Sequence, residues 1–359
     1  MKSLLLAAVV AVSSPLNPEA LQAAIADLDH PAATSAQLRV SGSAGRWYGA
    51  EGVADLGTHR RIRPDDRFRI GSVTKVFVAT VVLQLVDERK VDLGTPVQHY
   101  LPGLLPPKLE PVTVGQLLDH TSGIPFEVGF PDLSTPDKVV AHRYDRWTPE
   151  QRVRLVPDTT AKFPPGTRQE YRGINYVLAA MLIEKITGHT YGHEVETRIL
   201  CPLRLTRTYV PALNETRIRG AHVHGYLEVP GRGRVDVSDY NTSISYGEGD
   251  MISTTGDLTR FMTALFDGDL LPPDLLATMF TVPRVSMVDG SPARHAAGLQ
   301  TATINGVELW GKTGEQYGYN AGMFSTRDQQ RRMAYSFTPT VSDSTQQQMT
   351  LRIADAVTR

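Results

Sequence analysis

The chain has 359 residues, 41% of them apolar and 21% charged, with a formal net charge of −1. Such a composition suits a globular protein with a large core, and its charge balance offers no electrostatic footprint for nucleic acid or an anionic membrane. The single cysteine, Cys201, excludes an intrachain disulfide. Set between Leu200 and Pro202, it is expected to be a small packed residue.

In chain order, Met1-Lys2-Ser3, an apolar run over residues 4–12 and the small-x-small triplet Ala11-Val12-Ser13 resemble a short secretory signal peptide over residues 1–13. If that segment is cleaved the protein is secreted; otherwise it stays in the cytoplasm, and the same run reads as an apolar helix continuing toward Ile25. Residues 14–359 read as one domain. A helical pattern spans 18–28, and strand patterns span 36–40 and 46–53. The polar stretch 55–67 is connection. The clearest helix covers 72–89, with Val76, Phe77, Val81, Leu85 and Val86 recurring at helical spacing. A second covers 175–187 and is stopped by Gly188. Residues 257–266 look helical. Strands follow at 307–312, 319–325 and 332–338, and a helix at 344–357 closes the chain. Strands at both ends with helices between predict an α/β (α+β) fold, an antiparallel sheet flanked by helices plus an all-helical insertion. No apolar run after the first approaches the roughly 20 residues needed to span a bilayer.

Three short motifs carry chemistry. Ser72-Val73-Thr74-Lys75 opens the first long helix. Spacing of three sets the lysine ammonium beside the serine hydroxyl, and a serine needs a proton acceptor before it becomes a competent nucleophile. An N-cap serine with a solvated lysine is the plainer alternative. Tyr171 follows Phe163-Pro164-Pro165-Gly166; its hydroxyl can relay a proton near a lysine, or the ring can simply pack on the helix behind it. Trp310-Gly311-Lys312-Thr313-Gly314 reads as a strand end carrying a cation, a hydroxyl and a glycine that allows close backbone approach; a strand running into a turn has the same pattern.

Taken in this order, Ser72, Lys75, Tyr171 and Lys312-Thr313-Gly314 resemble the class C β-lactamases, the serine DD-peptidases and related esterases and transacylases. Leu117-Leu118-Asp119-His120-Thr121-Ser122-Gly123 and Ile252-Ser253-Thr254-Thr255-Gly256-Asp257-Leu258 match as well. The likeness is closest to actinomycete serine DD-carboxypeptidases and runs from about residue 20 to the end. It implies the serine β-lactamase/penicillin-binding-protein fold and one catalytic domain without a cofactor. It also implies Ser72 as nucleophile, Lys75 as the base, Tyr171 as proton relay and Lys312 as support for the field around Tyr171. The backbone N–H groups of Ser72 and Glu315 would form the oxyanion hole. Thr313 and Gly314 would contact substrate, and His120 is expected to be structural.

Four positions depart from that pattern and bear on substrate. The family usually has Tyr-x-Asn, whose asparagine holds a substrate amide; here the run is Tyr171-Arg172-Gly173. Where the carboxypeptidases place an arginine for the terminal carboxylate, this chain has Gln300, which cannot replace a bidentate guanidinium. Glu315 follows Lys-Thr-Gly in place of threonine. Glu248 stands in Gly247-Glu248-Gly249 where relatives have alanine. Two carboxylates there would repel an anionic substrate and attract a cation; the plainer alternative for each is a solvated surface charge. Together these features lead us to expect a serine hydrolase or acyltransferase. It would take a small-molecule or peptide ester or amide as donor, and water or an amine as acceptor. A D-alanyl-D-alanine carboxypeptidase and a non-catalytic penicillin-binding sensor are the alternatives. No metal site is expected; His222-Val223-His224 lacks a third ligand nearby.

Overall fold

The computed structural model describes residues 15–341 and 343–359, so the signal-peptide segment lies outside the described residues. Six strands form one antiparallel sheet: β1 (Ala33–Gly42), β2 (Gly45–Gly52), β3 (Gln300–Ile304), β4 (Val307–Gln316), β5 (Tyr319–Ser325) and β6 (Arg332–Pro339). Their spatial order is β2-β1-β6-β5-β4-β3. The first and last strands of the chain thus pair in the middle, Leu38 opposite Tyr335, and the sheet closes only when both ends have been made.

The sheet is covered on both faces because its side chains alternate. On one face, helices α1 (Pro18–Ala26) and α5 (Thr345–Thr358) press Leu21, Ile25, Met349 and Ile353 onto Leu38, Phe324, Tyr335 and Phe337. Asn17 caps α1 by accepting from the backbone N–H groups of Glu19 and Ala20. On the other face lie α2 (Thr74–Asp87), α3 (Ile174–Thr187) and α4 (Thr255–Asp267). Phe77 of α2 stacks on Phe261 of α4 with ring centroids 3.8 Å apart, and Ala321, Met323 and Ala334 of the sheet join the same core. Helix α2 is buried nearly all round, which makes it a central strut rather than an amphipathic surface helix.

Between α2 and α3 the chain is largely turns and irregular segments carrying four short helices and the two-residue strand Arg168–Gln169, packed on α3 through Val97, Val112, Leu117, Val153 and Leu178. Among the described residues, no helix is long and apolar enough to cross a membrane. Boundaries of the expected elements agree to within a few residues, and short elements are additional, among them the hairpin Tyr226–Val229/Gly233–Asp236. The edge strand β3 is additional. Strand β4 runs on through Gln316, so Lys312, Thr313 and Gly314 lie within the strand rather than at its end. Ser72 precedes α2, in a 3₁₀ turn over Gly71–Val73. Cys201 is exposed rather than packed; it follows a π-helical turn over Glu196–Leu200, which turns Ile199 and Leu200 inward and leaves the next side chain outside.

Candidate active site

Ser72 is held by contact between the turn that carries it and strand β4. Gly71 adopts φ 48°, a left-handed conformation suited to glycine. A Cβ on Gly71 would lie 2.4 Å from Glu315 N, and one on Gly314 would lie 1.9 Å from Ile70 O and 2.9 Å from Ser72 N. Two glycines therefore let the turn and the strand touch backbone to backbone. This contact sets the backbone of residues 70–72 against that of residues 314–315; two N–H groups aimed at one point there would make a paired oxyanion donor.

Lys75, one turn on, is buried, with 1% of its side chain exposed. Its Nζ donates to Ser72 Oγ at 3.1 Å and to the carbonyl of Glu248 at 2.7 Å, and lies 3.6 Å from Glu248 Oε2. Tyr171 sits between two ammonium groups, with Lys75 Nζ 5.0 Å and Lys312 Nζ 4.7 Å from its ring centroid. Burial alone would raise the Tyr171 hydroxyl, but Lys312 and Lys75 outweigh it and hold it below the ordinary phenol value. The hydroxyl is close enough to Lys75 and Ser72 to feel both, yet it has no well-aligned hydrogen-bond partner among the described residues. Lys312 is lowered from the ordinary lysine value by burial, and its Nζ donates to Gln300 Oε1 at 2.9 Å and to Thr313 O at 3.1 Å.

Two histidines wall Tyr171, His120 at 4.5 Å and His295 at 5.1 Å between ring centroids. Burial pushes both below the ordinary imidazole value, His295 to about 3, so both are neutral near pH 7 and add no charge beside the phenol. His120 Nδ1 accepts from the Arg172 backbone N–H at 3.2 Å and so fixes the Tyr171 loop, in keeping with its expected structural role. His222 and His224 stack on each other, but Nδ1 of His222 donates to Gly220 O and Nδ1 of His224 faces Asp236 Oδ2. Elsewhere, His189, His193 and Glu194 bring possible ligand atoms within 4.8 Å of one another, with Glu194 already bound to Arg198 Nε at 2.5 Å.

Ser72 stands where two cavities meet. One, of about 360 Å³, is walled by Phe130, Leu133, Leu227, Tyr240, Ile244 and Tyr317, and includes Glu248 and Glu315. The other, of about 590 Å³, holds Tyr171, Lys312, Thr313, Gln300, His295 and Arg294. The structure thus gathers Ser72, Lys75, Tyr171, Lys312, Thr313, Gly314, Glu315, Glu248 and Gln300 around one point, with Gly173 against Glu248. Glu315 is exposed at the rim shared by the cavities.

Glu248 departs from both expectations. It is neither a solvated surface charge nor an unpaired anion awaiting a cation. Its Oε1 accepts from Arg152 Nη2 at 3.1 Å, and Arg152 also reaches Glu127 Oε1 at 2.9 Å. Burial would raise the Glu248 carboxyl, but Arg152 and Lys75 hold it below the ordinary value, so it is ionised and its charge is already answered. Arg152, Glu127 and Arg294 were not among the residues picked out from the sequence. None lies in a recognisable motif, and only the fold brings them to the site.

A family model described as Beta-lactamase matches residues 21–358. This chain belongs to the beta-lactamase family. Its fold is that of the serine β-lactamases and penicillin-binding proteins. A D-stereospecific amidohydrolase from Streptomyces sp. superimposes with a TM-score of 0.82 at 34% identity, over 95% of this chain and 98% of that one. The D-amino acid amidase of Ochrobactrum anthropi SV3, complexed with L-phenylalanine, gives 0.79 at 26% identity, over 94% and 98%. Among curated family members, penicillin-binding protein 4 of Amycolatopsis lactamdurans is 30% identical over 62% of this chain and 57% of its own length. The D-alanyl-D-alanine-carboxypeptidase/endopeptidase AmpH of Escherichia coli K12 is 28% identical over 66% and 58%. The chain spans little more than half the length of these two curated relatives.

Proposed function

We propose that this protein is a serine amide and ester hydrolase working through an acyl-Ser72 intermediate, with D-configured amides lacking a free terminal carboxylate as its first donor class. The observation that carries the proposal is Tyr171, a buried phenol beside Ser72 and between two ammonium groups. Lys75 Nζ lies within hydrogen-bond distance of Ser72 Oγ and of the Glu248 carbonyl; Tyr171, whose hydroxyl is held below the ordinary phenol value, is taken as the acceptor of the serine proton in place of the lysine first considered for that task. Ser72 Oγ attacks the donor carbonyl as its proton passes to Tyr171, which acts as the phenolate that Lys312 and Lys75 favour. The oxyanion is met by the N–H groups of Ser72 and Glu315, each worth roughly 3–4 kcal/mol. Tyr171 then returns the proton to the departing amine or alcohol, and water repeats the sequence to release the acid.

The D-configured donor is suggested by the two amidases that share the fold over nearly the whole chain. Transfer of the acyl group to an amine is a competing fate, favoured by the Glu315 side chain at the rim. A carboxypeptidase activity is the second reading. Arg294, lining the cavity beside Lys312, is the one observation that favours it over what Gln300 alone would suggest.

The test compares four substrates: a D-amino acid amide, its L enantiomer, an aryl ester with and without added amine, and a D-alanyl-D-alanine peptide. We expect ester turnover, a D-over-L preference and a slower peptide reaction. Faster turnover of the peptide would put the carboxypeptidase ahead. Loss of all turnover with retained covalent labelling would favour a sensor.

A further inference from the structure

Glu248 and Gly173 occupy each other's space. A Cβ built on Gly173 would lie 1.7 Å from Glu248 Oε2 and 2.5 Å from its Cδ. The carboxylate fills the volume that any side chain at 173 would need. The backbone around it is equally committed. A Cβ on Gly247 would lie 2.4 Å from the Cβ of Ala180, so this segment presses on α3. Gly249 O accepts from Gln316 Nε2 at 2.9 Å, which ties the segment to β4. Glu248 is therefore not a tip that can swing away, and its main-chain carbonyl and its carboxylate both face Lys75.

The carboxylate is also one link in a chain of alternating charge. Lys75 meets Glu248, Glu248 meets Arg152, Arg152 meets Glu127, and Glu127 Oε2 accepts from Arg172 Nη2 at 2.5 Å. Arg172 stands between Tyr171 and Gly173, so the chain runs from the lysine on α2 back to the loop that carries the phenol. Lys75, Arg152 and Arg172 are nearly fully buried. Such a run holds its geometry because each member left unpaired would be a buried charge.

We propose that Glu248 is a positioning and specificity-determining residue of this site: it holds Lys75 against Ser72, and it selects acyl donors that present a hydrogen-bond donor, an ammonium or N–H group, beside the scissile carbonyl. The proposal rests on Ser72 being the acylated residue. Glu248 lines the same cavity as Ser72 with 17% of its side chain exposed, so a bound acyl group passes it. A carboxylate only accepts hydrogen bonds. It is matched by an ammonium on the acyl group and mismatched by a carbonyl oxygen placed at the same point. No side chain at 173 is present to offer the opposite polarity.

Two variants test this without removing the charge chain wholesale. Glu248→Gln keeps the shape and gives the group a donor face. Gly173→Ala leaves the glutamate in place but forces its carboxylate aside; what must move is the end of a side chain rather than backbone, so the fold is expected to survive. The substrates are an acetyl aryl ester, a D-amino acid aryl amide with a free amino group, and the analogue of that amide in which hydrogen replaces the amino group. Wild type is expected to favour the free amine over the analogue without the amino group by about tenfold or more in kcat/KM. Both variants are expected to cut that preference about tenfold, mainly through KM, and to lower kcat on the acetyl ester as Lys75 loses its anchor. The double variant is expected to be no worse than the poorer single one, because both act on one carboxylate. An unchanged preference in both variants, with wild-type ester turnover intact, would overturn this inference alone. Failure of wild type to turn over the acetyl ester at all would overturn it together with the acyl-Ser72 mechanism.

Discussion

Replacing Lys312 by methionine removes one of the two cations that flank Tyr171 while keeping most of the side-chain volume. The ammonium lies 4.7 Å from the ring centroid. Across about 5 Å at an effective dielectric of 20, a unit charge is worth on the order of 3 kcal/mol, or roughly two pH units of phenol ionisation. Arg294 lines the same cavity and is left in place. His120 and His295 are both neutral near pH 7, and Lys75 is unchanged. A phenol that has lost a neighbouring cation ionises less readily, so the acid limb of kcat/KM must move to higher pH. We expect a shift of about two units for an aryl ester in Lys312→Met, a fall of about a hundredfold at the foot of the wild-type plateau, and recovery at alkaline pH. The assay is a kcat/KM profile from pH 5 to 10, with circular dichroism confirming the fold. A rate loss of the same size at every pH would refute the reasoning, because Lys312 would then act on the substrate and not through Tyr171.

Ser72→Ala should abolish covalent labelling by an active-site acylating reagent, read by intact-protein mass spectrometry; labelling at the wild-type rate would move the nucleophile elsewhere. Gly314→Ala should push β4 off the Ser72 turn, since the new Cβ would meet Ile70 O at 1.9 Å. A kcat lower by about 10²–10³-fold, the scale of one lost oxyanion donor, is expected, and a wild-type kcat would show that the two N–H groups do not act together. Asp250 is buried, accepts from the Tyr191 hydroxyl, and is raised by burial from 3.8 to about 7. Its contribution to stability is therefore complete below about pH 4 and is lost as pH rises through about 7, at a cost of about 4 kcal/mol. Asp250→Asn should flatten that part of the pH dependence, measured as urea midpoints between pH 4 and 8; parallel curves for the two proteins would count against it.

What the sequence made legible was whatever is repeated along the chain or local to it. The helical spacing of Val76, Phe77, Val81 and Leu85 located α2, and the apolar run stopped by Gly188 located α3, because burial on a strut leaves a periodic trace. The strand 319–325 was read to the residue. β3 was missed because Gln300-Thr301-Ala302-Thr303-Ile304 is short, half-exposed and at the sheet edge, with no buried face to impose alternation. Cys201 was misjudged because its flanking apolar residues say nothing about a π-helical turn that changes which side chain faces out.

The limit is sharper in the site itself. Ser72, Lys75 and Tyr171 could be picked out because their spacing and neighbours form motifs. Glu248 could be picked out only as an unusual residue. A solvated surface charge was the plainer alternative for it, but each flanking glycine serves a close approach: Gly247 to α3, and Gly249 to within 3.5 Å of Gly71 for a would-be Cβ. Its counter-charge, Arg152, lies far away in sequence and was unmarked. A net charge of −1 is silent on this point, since it counts Glu248 and Arg152 without pairing them. The pairing changes what the glutamate can do. Held by Arg152 on one oxygen and facing Lys75 with the other, it is fixed against the lysine beside Ser72, which is the contact on which the proposed positioning role and the proposed proton transfer to Tyr171 both depend.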